Sequence, residues 1–259
     1  MAEKPNQVEK LRSLNDFHCN NCGLASLCLP LSLSLTDMER LDGIIEKSPP
    51  LKKGSHLFHQ GDPFTSIFAV RAGTIKTYTV TKDGEEQITG FYFPGELIGL
   101  NAIDTEAYPI SAKILETTTV CEIPYEKLDD LAGQMPELRR QLIRTMGREI
   151  REEQQMMLLL SKKTAEERVA TFLLKLSERY RKRGYSASIF RLSMSRNEIG
   201  NYLGLAVETV SRIFSRFQKQ QLINVEGKEI EVLSLEDLHA VSGELRMPSL
   251  DQNSARATS

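Results

Sequence analysis

The hydrophobic rhythm of the chain changes along its length, and each change marks a different kind of element. Over residues 34–46 the apolar side chains Leu35, Met38, Leu41 and Ile45 recur at helical spacing. They predict a short helix capped by Ser34 or Thr36 and stopped by Ser48-Pro49-Pro50. From 51 to about 123 the period shortens to two. Short runs at 66–70, 74–80 and 87–92 are separated by recurring glycines, and Lys82-Asp83-Gly84 carries the Asp-Gly signal of a hairpin. Many short strands with regular turns predict a rolled antiparallel sheet.

Pro136 then opens a long helix, at a position where its missing N–H costs nothing. Ile143, Met146, Ile150, Glu153, Met157 and Leu160 follow at alternating spacings of three and four, a heptad seam of about two and a half repeats. Arginines and glutamates flank a stripe so narrow that it suits a partner helix, and a homodimer is expected. In a parallel pair Glu153 would face its twin. Two like carboxylates in a partly dry seam repel, so the dimer is expected to be marginal and switchable through Ile150 and Glu153.

Beyond residue 163 an apolar helix carries Val169, Phe172, Leu173 and Leu176 into the basic run Arg179-Tyr180-Arg181-Lys182-Arg183. Ser195 and Glu198 then form the Ser-x-x-Glu capping box of a short helix with Ile199 and Leu203 inside. Gly204 permits a tight turn, and residues 207–218 make a second helix with Val210, Phe214 and Phe217 facing inward. This is the pattern of a helix-turn-helix. Its outer face holds Glu208, Ser211, Arg212 and Ser215. Arg212 can donate twice to guanine, Glu208 can accept from cytosine N4, and Ser211 can meet a base edge or a phosphate. Two apolar runs around Glu226-Gly227-Lys228 predict a hairpin wing.

Charge agrees with this division. The chain has 33 Lys and Arg against 35 Asp and Glu, which alone argues against nucleic acid, yet residues 161–220 hold 13 basic against 5 acidic side chains. No apolar run approaches the roughly 20 residues that span a bilayer. The polar N-terminus lacks the core of a secretion signal, so a cytoplasmic, reducing location is expected.

Cysteine placement is the most informative chemical feature. Cys19, Cys22 and Cys28 are bunched as Cys-x2-Cys-x5-Cys, and the fourth thiol is the distant Cys121. Four soft donors suit either an iron–sulfur cluster or a structural zinc, and disulfides do not suit a reducing compartment. The four histidines are scattered. No Ser–His–Asp, phosphate-loop or dinucleotide fingerprint is present, which argues against an enzyme.

Together the cysteine constellation and Val207-Glu208-Thr209-Val210-Ser211-Arg212 closely resemble the FNR (fumarate and nitrate reduction) regulators, the oxygen-sensing branch of the cyclic-AMP-receptor family. The resemblance covers residues 12–245. It implies an α+β fold: a cluster-binding segment (1–30), an antiparallel β-roll (31–135), a dimerisation helix (136–162) and a winged helix-turn-helix (163–245). A disordered tail is expected over 246–259. The resemblance further implies one [4Fe–4S] cluster per subunit on Cys19, Cys22, Cys28 and Cys121, degraded by oxygen. It implies that Glu208, Ser211 and Arg212 read a TTGAT-like half-site of double-stranded DNA, and that the turn at 82–86 meets RNA polymerase. Gly95-Glu96-Leu97 is similar to the phosphate-binding turn of cyclic-nucleotide sensors, but the arginine they use is absent from Pro109-Ile110-Ser111-Ala112-Lys113. A small-molecule-gated regulator with a zinc or empty cysteine site is the alternative.

Overall fold

The computed structural model describes residues 18–31 and 33–243, which fall into two compact units, 1–156 and 157–259. The first seventeen residues of the expected cysteine segment and the expected disordered tail lie outside the described residues. The architecture is the expected one: antiparallel sheets, one long helix and a helix-turn-helix.

The first unit begins with a 3-10 turn at Cys19–Asn21 and helix α1, Leu35–Asp42. Ser34 caps α1 by accepting from the Asp37 N–H. The helix is shorter than expected, and its first residue Leu35 is 72% exposed rather than buried. Gly43 ends it, and Glu46–Lys47 leaves as strand β1 because these residues pair with Glu122 and Cys121. Seven further strands follow: β2 (His56–Phe58), β3 (Ser66–Ala72), β4 (Ile75–Val80), β5 (Glu86–Tyr92), β6 (Leu97–Ile98), β7 (Ser111–Ile114) and β8 (Thr119–Pro124). They form two four-stranded antiparallel sheets, ordered β1-β8-β3-β6 and β2-β7-β4-β5. The expected hairpin joins β4 to β5, closed by a bond from the Thr81 N–H to the Glu85 carbonyl.

Helix α2, Tyr125–Gln134, has no counterpart in the sequence reading, because its ten residues follow the last strand directly. Leu128, Leu131 and Ala132 nevertheless give it a buried face. Helix α3 runs Pro136–Lys162 as expected. One core joins these helices to the rest of the unit: Leu29 from the cysteine loop, Leu41 from α1, Ile67 and Ile123 from the sheet, Leu128 from α2 and Leu138 from α3. Cys28, Cys121, Leu142 and Met146 pack against the same core.

The second unit holds the end of α3 and then α4 (Ala165–Lys182), β9 (Ile189–Arg191), α5 (Arg196–Leu203), α6 (Val207–Lys219), β10 (Ile223–Glu226), β11 (Glu229–Val232) and α7 (Leu235–Ser242). Both capping boxes are complete, Thr164 with Glu167 on α4 and Ser195 with Glu198 on α5. The wing is a three-stranded sheet, β10-β11-β9, since the short run at Ile189–Arg191 adds a strand that the sequence reading left out.

Helix α3 carries a partly buried carboxylate with a pH consequence. Burial, reinforced by the nearby carboxylates Glu153, Glu152 and Glu96, lifts Glu149 from its ordinary value of 4.5 to about 7, against a smaller downward pull from Arg148. The folded value lies above the unfolded one. The stability carried by the neutral form is therefore complete below about pH 4.5 and lost as the pH rises through about 7. Glu149→Gln should raise unfolding stability at pH 8 by about 2 kcal/mol and converge with the parent near pH 4, as followed by denaturant titration. An equal effect at both pH values would contradict this account.

Candidate functional site

The first unit brings all four expected cysteines to one cavity. Cys19, Cys22 and Cys28 come from the loop before α1, and Cys121 comes from the middle of β8, opposite Ala69 on β3 and Lys47 on β1. The cavity is small, with about 30 Å³ open to water-sized molecules, and its other walls are mostly apolar, among them Leu24, Leu29, Leu41 and Ile123. No histidine or carboxylate among the described residues lines it, and the one charged lining residue among them is Arg71. Among the described residues no three His, Cys, Asp or Glu side chains meet at the spacing of a single metal ion.

Local sequence explains the loop. Successive turns are closed by the Cys22 carbonyl with the Ala25 N–H and by the Leu24 carbonyl with the N–H groups of Leu27 and Cys28. Asp42, at the end of α1, accepts from the Cys19 backbone N–H at 2.9 Å and pairs with His18 Nδ1 at 2.5 Å, so the acid anchors the loop. On the other side Leu27 sits over Gly95. That glycine has φ +89°, and an added Cβ would come within 2.8 Å of Leu27 Cβ. The turn that resembles a phosphate-binding cassette is therefore in contact with the cysteine loop. Glu96 uses its carboxylate locally, accepting from the Phe93 N–H at 3.1 Å.

Cys19, Cys28 and Cys121 are costly to ionise in this pocket. Burial foremost, then Asp42 and the neighbouring sulfurs, pushes Cys19 far above its ordinary value. Burial likewise raises Cys28 to about 12 and Cys121 to about 11, with Arg71 pulling Cys121 the other way. An apolar site that resists thiolate formation favours ionised sulfur only when a cation supplies compensating charge, as a metal core does. The four-sulfur donor set thus fits such a group. Arg71 and Asp42 escaped the sequence reading; Arg71 interrupts the apolar run of β3, a signal too common on strands to single out a site.

In the second unit α5 and α6 form the expected helix-turn-helix. Gly204 ends α5 in the left-handed conformation, φ 63°, and its N–H bonds the Asn201 and Gly200 carbonyls. Val210, Ile213, Phe214 and Phe217 bury one face of α6, while Glu208, Ser211, Arg212 and Ser215 are exposed together on the other. The Ser211 hydroxyl donates to the Val207 carbonyl at 2.9 Å, and Arg212 Nη2 donates to Thr209 Oγ1 at 3.2 Å. Glu208 also lies in the first turn, where a negative charge complements the helix dipole. A contact absent from the sequence reading fixes the two helices together. The Arg196 guanidinium, at the start of α5, stacks 3.5 Å from the centre of the Phe214 ring, and burial lowers its pKa only to about 10, so the cation persists at neutral pH.

The expected seam residues lie along α3. Ile143, Ile150 and Met157 recur every seven positions and are 62%, 56% and 70% exposed, and Glu153 is exposed beside them. Met146 is instead half-buried against the first unit's core. Among the described residues no helix is long and apolar enough to cross a membrane.

Comparison with known proteins follows the same division. Residues 49–134 match the cyclic nucleotide-binding domain family and residues 167–241 the Crp-like helix-turn-helix domain family. Over 234 residues, 90% of this chain and 96% of the relative, the sequence is 64% identical to the transcriptional activator protein Anr of Pseudomonas aeruginosa. It is 51% identical to the fumarate and nitrate reduction regulatory protein of Vibrio cholerae, covering 88% of this chain and 91% of that one. Among solved structures it is similar to FixK2 from Bradyrhizobium japonicum, with a TM-score of 0.72 and 30% identity over 78% of this chain and 99% of that one.

The raised thiols give a direct expectation. In the folded, metal-free protein at pH 8, Cys28 should alkylate slower than in the denatured chain by about two to three orders of magnitude, since only its thiolate reacts. The gap should narrow as the pH climbs from about 9 towards about 12. Peptide mass spectrometry of timed iodoacetamide reactions measures both; equal rates at pH 8 would show that the site is not closed as described.

Proposed function

The chain belongs to the Crp/FNR family of transcription regulators, and we propose that it is an oxygen-responsive member whose four cysteines hold a [4Fe–4S] cluster and whose paired helix-turn-helix modules bind inverted repeats. The observation that carries this reading is an apolar cavity lined by Cys19, Cys22, Cys28 and Cys121 together. Four sulfur donors suit a cluster core, and the resemblance of the chain to the fumarate and nitrate reduction regulatory protein favours that core over a lone zinc. Bound there, the cluster would supply a cross-link that oxygen can dismantle.

The consequences lie in the protein's own residues. With their sulfurs tied together, the loop cysteines are fastened to β8 through Cys121. Leu29 and Cys28 are then held in the core that also receives Leu138, Leu142 and Met146 of α3. A fixed core presents Ile143, Ile150 and Met157 in one fixed attitude to a second α3. Association must overcome the repulsion of two Glu153 carboxylates, so a small change in the attitude of α3 decides between monomer and dimer. In the dimer two α6 helices reach successive major grooves, and binding both half-sites at once multiplies affinity. Arg212 and Glu208 then discriminate bases, with Ser211 on a base edge or phosphate. The turn at 82–86 is the surface offered to RNA polymerase, and a reducing cytoplasm suits a site built of four thiols.

Two experiments test the reading. Prepared without oxygen, the wild type should be brown and contain iron and labile sulfide, whereas Cys121→Ala should lose most of both; a colourless protein with stoichiometric zinc would support the alternative. Glu153→Ala should sediment as a dimer in air and bind an inverted-repeat duplex there, and aerobic monomers of that variant would count against the seam switch.

A further inference from the structure

We propose that Arg168 is a positioning residue for DNA reading, a guanidinium rivet that sets the helix-turn-helix at a fixed angle to the last turn of α3. The inference rests on the dimeric, inverted-repeat reading given above and goes beyond it by naming the joint. Arg168 lies in the first turn of α4, and its three nitrogens reach three different carbonyls. Nε donates to Lys163 O at 3.0 Å, Nη2 to Leu160 O at 2.7 Å and Nη1 to Leu203 O at 3.0 Å. Leu160 is in the last turn of α3, Lys163 follows that helix directly, and Leu203 is the last residue of α5. One side chain therefore closes the carboxyl ends of two helices, the seam helix and the first helix of the reader.

The chemistry explains why an arginine stands there. The last carbonyls of a helix lack intrahelical donors, and the helix dipole makes that end attractive to a cation. A guanidinium offers five donors in a rigid planar fork, so it can serve carbonyls on two separate helices at once and fix their relative direction. A lysine would keep the charge and lose the fork. The packing around the fork agrees. An added Cβ on Gly204 would stand 3.6 Å from Arg168 Nη1 and 3.8 Å from Leu160 Cδ2, so the α5–α6 turn lies close to the end of α3. Neighbouring side chains clamp the same junction. Lys163 Nζ donates to the Ser242 carbonyl at the end of α7, and the Thr164–Glu167 capping box fixes the start of α4. Such a joint leaves base contacts untouched but determines how far apart two recognition helices are held once α3 is paired. Its effect should therefore appear in the spacing of half-sites, not in the reading of one.

The test uses full-length protein prepared without oxygen: wild type, Arg168→Lys and Arg168→Gln. Each is titrated with a duplex carrying one TTGAT-like half-site, with the inverted repeat, and with inverted repeats whose spacer is lengthened or shortened. Both variants should bind the single half-site within about threefold of wild type. On the inverted repeat they should lose about 10- to 100-fold, since the joint no longer supports simultaneous binding, and their preference for one spacer should flatten. Circular dichroism confirms folding, and Arg168→Lys decides the matter if the glutamine variant unfolds. Equal losses on half-site and inverted repeat, or a spacer preference as sharp as in wild type, would overturn the rivet. A wild type with no preference for the inverted repeat would instead overturn the dimer reading and the inference with it.

Discussion

The first unit depends on one shared core. The loop that carries three cysteines does not pack on the sheet alone: Leu29 and Cys28 enter the same apolar cluster as Leu128 of α2 and Leu138 of α3. Protein interiors are close-packed and transmit displacement, so the loop cannot shift without disturbing the base of the long helix. Cys121 belongs to that cluster from the sheet side. A link between loop sulfur and strand sulfur is thus also a constraint on α3. The cysteine loop and the base of α3 therefore share one packing problem.

The second unit has its own apolar core and adds cations that join its elements. Arg196 stacked on Phe214 joins α5 to α6, and Arg168 joins α5 to the end of α3 through backbone carbonyls. Arg216 and Glu166 pair between α6 and α4. Part of the basic excess of residues 161–220 is therefore consumed in holding this unit together, whereas Arg212 donates within its own helix, to Thr209.

Much of this was legible in the sequence because it is local. The Ser195–Glu198 capping box, the Asp83-Gly84 turn and the apolar face of α6 follow from residues a few positions apart, and all three stand as read. What escaped was set by tertiary contact. Leu35 fits the helical stripe of α1 but is 72% exposed, and α1 stops early because β1 is claimed by β8. Helix α2 follows β8 with no turn signal between them, and strand β9 is only 3 residues long. At the cavity the cysteine spacing was visible, while Arg71 and Asp42 were not, since their relevance comes only from the fold that brings them beside the sulfurs.

The central claim is that the integrity of the cysteine-bound group governs the pairing of α3. The most direct measurement is sedimentation of one anaerobic wild-type sample as air is admitted in steps, with iron and labile sulfide determined at each step. The account expects the dimer fraction to fall in proportion to the cluster lost. A dimer fraction that stays constant while iron and sulfide disappear would contradict it.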